Sequence, residues 1–370
     1  MSRSRTVHGW LLRISLLLAL GVGCDEAQIG PRPGSVAAAS SLDARSGGAP
    51  VVDAARGDTG ASGNGGVSLA SRYPGDVGLA SDPAVVFSDN FEAGSVQAIL
   101  GRYSSSKNAA GMALERDRST RSSGATSLKL TAGGSGPSAT DLFKILSPGH
   151  DELYLRYYVK YQGGIDWHHT AVALAGFNPP SDFPKGIAGV RPTGSDHFSV
   201  QFEPIGRGAN QRMDFYNYWM KMRSWMDAPQ GSNTAYYGNT LIHRNAVRVT
   251  DNRWMCIEIH VRLNPDPGAA ADAELAVFID DTLIQRFTDT APLGYWIKDK
   301  FCPRNADSPE CTNYPPRPGT PMEPLDLQFR TTTDLRINAL WVQNYITSGP
   351  GGSVWVDDLV VATSRIGCLR

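Results

Sequence analysis

The feature that most restricts this chain is a period of two in its apolar residues, running from Val85 to the C-terminus. In 153–161, Leu153, Leu155, Tyr157, Val159 and Tyr161 share one side, and Tyr154, Arg156, Tyr158 and Lys160 the other. In 197–203, Phe198, Val200 and Phe202 oppose His197, Ser199, Gln201 and Glu203. In 254–263, Met255, Ile257, Ile259, Val261 and Leu263 oppose Trp254, Cys256, Glu258, His260 and Arg262. Successive side chains of a strand point to opposite faces, so these sets read as half-buried strands. Clusters of Gly, Pro, Asn and Asp separate the runs, and no long stretch carries a helical period. Residues 274–280 and 283–287 read as a hairpin turning through Asp280 and Asp281, and 325–332, 336–346 and 353–363 as closing strands. Pro265, Pro267 and Gly268 favour a turn before the alanine-rich stretch 269–273. About a dozen strands favour two packed antiparallel sheets, an all-β jelly-roll sandwich over 84–370, rather than a single sheet.

The chain upstream has a different texture. Residues 25–83 are dominated by Gly, Ala, Ser, Pro and Asp, with almost no aromatics. Such a segment buries too little apolar surface to offset its ordering entropy, so it reads as a disordered linker. Residues 1–24 read as an export signal: Arg3 and Arg5 precede an apolar run from Ile14 to Val22. That run is well short of the ~20 residues of a spanning helix. The segment Gly21, Val22, Gly23, Cys24 resembles the lipobox of bacterial lipoproteins, departing from it at Gly21, where Leu is usual. The resemblance implies lipidation of Cys24 and anchoring in the cell envelope, at the outer membrane or cell surface. An ordinary signal peptide with a nearby cysteine is the alternative.

The formal net charge of −1 offers no global basic bias, which argues against nucleic acid as a partner. If Cys24 carries lipid, four cysteines remain, an even number that suits two disulfides in an oxidising compartment. Cys302 and Cys311 share a Pro-rich loop and form the first expected pair, leaving Cys256 with Cys368. Closing a loop of ~10 residues contributes on the order of 2–3 kcal/mol. Zinc is the rival reading, but no Cys-x-x-Cys spacing supports it.

The run from Trp254 to Asn264 has the form W-x-C-x-E-x-H-V-x-L-N, and Glu274 to Asp281 follows as a strand ending in an aspartate turn. With the opening run Phe87 to Glu92 and the closing runs Trp341 to Tyr345, Val354 to Thr363 and Ile366 to Cys368, it resembles concanavalin A-like jelly rolls. Those proteins are similar to polysaccharide lyases and their non-catalytic relatives, and the resemblance covers most of 85–370. It implies a structural calcium ion held by Asp89, Glu92, Asp357 and Asp358, hard oxygen donors from the first and last strands. No organic cofactor is implied, and the chain is expected to act as a monomer.

A concave jelly-roll face that holds a glycan needs aromatic platforms and polar groups. The segment from Phe215 to Trp225, including Tyr218 and Trp219, has that mixture, with Tyr236 and Tyr237 nearby. Tyr154, Arg156, Tyr158 and Lys160 suit an acidic glycan, extended by Gln201, Glu203, Glu258, His260 and Arg262. β-Elimination on a uronic acid polymer needs a group that neutralises the carboxylate, a base and an acid. The base and acid candidates are His168, His169, His197, Tyr158 and His260. The neutralisers are Arg156, Arg262, Gln201 and Asn344. His168 and His169, just after a Gly-Gly turn, come first, since loops carry function. Glycoside hydrolysis ranks lower, because the Glu-x-Asp-x-x-Glu strand of laminarinase-like jelly rolls is absent, leaving Glu203 and Glu258 as a pair. The leading expectation is a surface-anchored lyase acting on an acidic glycan. A non-catalytic glycan-binding lipoprotein is the second, and a structural envelope protein with a flat apolar patch the third.

Overall fold

The computed structural model describes residues 67–116, 124–133, 138–183, 188–226, 235–267, 272–347 and 349–370. The described residues belong to the second of two units, Ala61–Arg370. The expected export signal, Cys24 and positions 25–66 of the expected linker lie outside the described residues, and the architecture is that of the second unit.

Among the described residues the strands are β1 Val85–Asp89, β2 Ser105–Lys107, β3 Met112–Glu115, β4 Ser127–Ala132, β5 Ser138–His150 and β6 Glu152–Tyr161. Then come β7 Thr170–Phe177, β8 His197–Ile205, β9 Arg212–Phe215, β10 Trp254–Arg262, β11 Glu274–Ile279 and β12 Thr282–Phe287. The last are β13 Leu293–Ile297, β14 Lys300–Pro303, β15 Glu323–Pro324, β16 Ile337–Ile346 and β17 Gly352–Ala362. An eight-stranded sheet runs β12-β11-β10-β6-β17-β4-β3, with β1 also on β17. A six-stranded sheet runs β2-β5-β16-β7-β8-β9, and β14-β13-β15 form a small third one. All these pairings are antiparallel.

The alternation read from the sequence decides which face is buried. Leu155, Tyr157, Val159, Ile257 and Ile259 of the larger sheet meet Val172, Leu174, Val200, Phe202, Leu340 and Val342 of the smaller one in a single core. Tyr157 Oη crosses it to donate to the carbonyl of Phe202 at 3.2 Å. The hairpin through Asp280 and Asp281 forms as expected, both residues having positive φ (49° and 65°), as a tight antiparallel turn requires. The disulfides Cys256–Cys368 and Cys302–Cys311 are both present.

Two expectations need correction. Residues 325–332 are not a strand, although Leu325, Leu327 and Phe329 are buried. The backbone N–H groups of Phe329 and Arg330 donate to the side chain of Asn264 (3.0 and 3.1 Å) instead of to a neighbouring strand. The linker expected to reach residue 83 is folded from residue 67. A short helix, α1 Leu69–Arg72, and two further turns lie on the outer face of the larger sheet. Leu69 and Leu79 are buried there with Val360, Ala362 and Ile366. Burying two leucines contributes roughly 1.5–3 kcal/mol each, which a merely polar composition had hidden.

Candidate functional site

The core claims one face of each sheet, so any site must lie on the opposite faces or on the loops between strands. On the six-stranded sheet the face turned away from the core runs along small, buried residues, Ala171, Ala173 and Ala175 of β7. It is flanked by His197, Ser199, Gln201 and Glu203 of β8 and by Trp341, Gln343 and Tyr345 of β16. Phe143, Phe177 and Trp341 pack together at one end.

A polar cluster closes the other end. Its position is set by the loop before β7. Gly164, at φ 75°, makes a turn held by Asp251 and Asn252 through the backbone N–H groups of Gly164 and Gly163. Trp167 is fully buried, its indole donating to the carbonyl of Gln162 at 3.0 Å. His169 then takes a left-handed φ of 55°. In extended backbone, adjacent side chains diverge. Here the two imidazoles stack with centroids 3.6 Å apart. His168 Nδ1 lies 3.0 Å and His169 Nδ1 3.6 Å from the same oxygen, Oε1 of Glu203. Gln201 donates its amide to the other oxygen, Oε2. Tyr216 meets both histidine rings edge-on (5.1 and 5.0 Å), Tyr345 stacks on His169 at 5.7 Å, and Tyr218 lies edge-on to Tyr216 at 5.8 Å.

Burial governs the electrostatics. It raises Glu203 above the usual carboxylate range, against the pull of His168. It lowers His169 well below the usual histidine value, helped by His168. It raises the Tyr218 phenol. The cluster thus holds imidazole, phenol, amide and carboxyl groups within one contact network, and His168, with 30 % of its side chain exposed, opens it to solvent.

The structure separates the other expected site residues from this cluster. Arg156, Tyr158 and His260 lie on the outer face of the eight-stranded sheet, so both sheets and the core stand between them and Gln201. Arg156 is fully buried under residues 67–83 and the C-terminal tail. It pairs with Asp76 and donates to the carbonyl oxygens of Asp358 (2.9 Å) and Gly367 (3.4 Å). Tyr158 Oη accepts from the backbone N–H of Leu369 at 2.9 Å. Burial pulls His260 down, but Glu152 (2.8 Å) and Glu274 (3.2 Å) outweigh it and hold the imidazole above its usual range. Tyr154 stacks on His260 at 4.1 Å, and Lys160 lies 4.0 Å from the ring centre of Trp355. Arg262 meets Glu274 at 3.7 Å. Alternating tyrosines and cations read as a binding face are a covered structural face.

Trp219 is core, its indole donating to the carbonyl of Asp326 at 2.8 Å. Asn344 is a latch between the sheets, donating to Leu130 and Gly352 carbonyls at 2.9 and 3.1 Å. His197 shares the face of Gln201 but stands at the far end of β8, beside Asp196 at 3.3 Å. Glu258 accepts from the backbone N–H groups of Ile366 and Gly367 on the opposite side of the molecule, so it cannot act with Glu203 as a hydrolytic pair. Tyr345 was missed as a site residue, and Tyr216 was read only as part of the aromatic segment 215–225. The alternation of Trp341, Gln343 and Tyr345 along β16 was the signal available for Tyr345.

Of the four carboxylates expected to hold calcium, Asp89 of β1 lies opposite Leu359 of β17, next in sequence to Asp358, and burial, helped by the charge of Glu92, raises the Asp358 carboxyl. Asp89 and Asp358 each bury an oxygen, Oδ2, that accepts no hydrogen bond among the described residues. Glu92 Oε1 accepts from the backbone of Ala125 and Thr126 at 2.7 and 2.6 Å. The donors are of the right kind. Among the described residues, no three of these carboxylates lie within mutual ligand reach, so an ion there would draw on backbone carbonyls and water.

No family model matches the chain, and no curated protein matches it. Among solved structures it is similar to the alginate lyase Aly36B, with 12 % identity over 76 % of this chain and 95 % of that one, at a TM-score of 0.48. It is similar to the marine PL-14 alginate lyase from Aplysia kurodai (14 % identity, 76 % and 99 % covered, TM-score 0.46). It is also similar to the endo-β-1,4-glucuronan lyase from the fungus Trichoderma reesei (11 % identity, 71 % and 91 % covered, TM-score 0.39). These are likenesses of a two-sheet, jelly-roll-like fold, and the roles of residues in this chain rest on its own geometry.

Proposed function

We propose that this protein cleaves an acidic polysaccharide by β-elimination at the His168–His169–Glu203 cluster. The observation that carries the reading is the convergence of two imidazoles, three phenols, an amide and a carboxyl group at one end of the sheet face turned away from the core. In this scheme His169 removes the proton next to the uronate carboxylate. Gln201 and His168 stabilise the charge that develops on that carboxylate, and Tyr216 protonates the leaving oxygen. Trp341 and Tyr345, both partly exposed on the same face, offer ring surfaces to neighbouring sugars.

The test is a panel of uronate polymers followed by ultraviolet absorbance of unsaturated products. His169→Ala is expected to abolish the signal, and Tyr216→Phe to lower the rate about 10²-fold or more. A wild-type chain that produces no unsaturated uronide from any polymer refutes cleavage.

Non-catalytic glycan binding is the second reading, favoured by the burial of Gln201, Tyr216 and Tyr218 to 7 % exposure or less. Retention of a polymer without product distinguishes it. Among the described residues, the exposed large apolar residues are Val67 and Val77 of the segment 67–83 and the scattered Val190, Met226, Leu283 and Tyr314, which gives no support to a flat protein-binding patch. We also infer that Cys24 anchors the protein to the cell envelope through lipid, on the strength of the lipobox-like sequence, and that calcium joins the edge of β1 and β17. Among the described residues, no helix is long and apolar enough to cross a membrane.

A further inference from the structure

We propose that His168, His169 and Glu203 form a three-ligand site for a divalent first-row transition metal of the zinc type. Each residue offers one donor atom within 4.8 Å of the other two, and the Nδ1 atoms of both histidines approach Glu203 Oε1. Zinc bonds of about 2.0–2.1 Å at tetrahedral angles put ligand atoms about 3.3 Å apart. The two N–O distances here, 3.0 and 3.6 Å, straddle that edge length. The rings are stacked, with planes 28° apart, so seating an ion requires them to turn until both lone pairs point at it, while the donor atoms are already at ligand spacing.

The backbone is built to bring these atoms together. The left-handed φ of 55° at His169 puts two consecutive imidazoles on one side, at the conformational cost that a non-glycine residue carries there. The carbonyl of His169 is held by the N–H of Tyr345 at 3.0 Å, which fixes that turn to β16. Gln201 holds Glu203 Oε2 and leaves Oε1 facing both histidines, the arrangement by which an outer group orients a ligand. Two imidazoles and a carboxylate suit zinc and its neighbours rather than calcium. The partial exposure of His168 leaves a fourth position that solvent or an anionic ligand can reach. The other His/Cys group, His243 with Cys302 and Cys311, has both sulfurs in a disulfide and offers no thiolate.

The metal site stands on this geometry, while its consequence rests on the proposed β-elimination. A bound ion occupies the imidazole lone pair assigned to the base and meets the uronate carboxylate at the fourth position, so zinc is expected to inhibit cleavage.

The test titrates the full, metal-stripped chain with Zn2+ by calorimetry and with Co2+ by visible absorption. One ion per chain is expected, with the intense visible bands of four-coordinate cobalt. His168→Ala and Glu203→Gln are each expected to weaken zinc binding at least about 10-fold, and Gln201→Ala by about 10- to 100-fold through lost orientation of Glu203. Absence of zinc uptake by the wild type, a cobalt spectrum equal to that of the free ion, or folded variants that bind like wild type would each overturn the site. Cleavage by the metal-free chain is read separately. A chain that takes up zinc but cleaves nothing refutes the reaction, and one that cleaves but takes up no ion refutes the metal site.

Discussion

Asp141 shows how one buried group on the outward face of the six-stranded sheet ties stability to pH. It pairs in register with Gln343 and Lys107. Burial pushes its carboxyl from 3.8 up to about 7, against the pull of Lys107. Between those values the folded chain keeps a proton that the unfolded chain releases. Folding stability therefore falls as pH rises through that window. Asp141→Asn is expected to shrink the difference in unfolding free energy between about pH 5 and about pH 8, by on the order of a few kcal/mol. Urea unfolding at both pH values checks this, and an unchanged difference would show that Asp141 does not carry it. At this scale the sequence was half informative. His168 and His169 follow Trp167 and a Gly-Gly turn and were legible as a loop pair, and the period of two placed Gln201 with Glu203. Arg156 was misread because the same alternation that reveals a face does not say what covers it.

The element that covers it is the segment 67–83. Its Asp76 carries the carboxylate that pairs with the fully buried Arg156, and Leu69 and Leu79 seal the contact. Asp76→Ala leaves a buried guanidinium without its counter-charge, a change that costs about 3–5 kcal/mol. The measurement is the urea midpoint of unfolding, and a variant as stable as wild type would show that Asp358 and Gly367 carbonyls suffice for Arg156. The strands themselves were legible where one face is apolar and the other polar, as in β6, β8 and β10. β7 was not, because Thr170 to Phe177 is buried on both faces and so carries little alternation of polarity. Residues 325–332 have the alternation without the strand, because Asn264 takes the backbone bonds that a neighbouring strand would otherwise receive.

At the scale of the whole molecule the chain ends are drawn into the sandwich. Cys368 is bonded to Cys256 of β10, and β1 pairs with the closing strand β17. A calcium ion at the edge of β1 and β17 would bind the folded chain alone. At about 100 times its Kd it adds about 2.7 kcal/mol to stability. Chelation is then expected to lower Tm by several degrees and added calcium to restore it, as read by thermal melts, whereas a melt indifferent to chelator would remove the ion. Sequence alone determined the all-β class, the hairpin at Asp280 and Asp281, the cysteine pairing and the place of His168 and His169 in a loop. Each depends on neighbours in the chain, on residue counts or on a period of two that any sheet must obey. Only the tertiary structure decided what covers each polar face and which side chains meet. Arg156 and Gln201 each alternate away from the core. Because their strands belong to opposite sheets, those two directions point to opposite sides of the molecule.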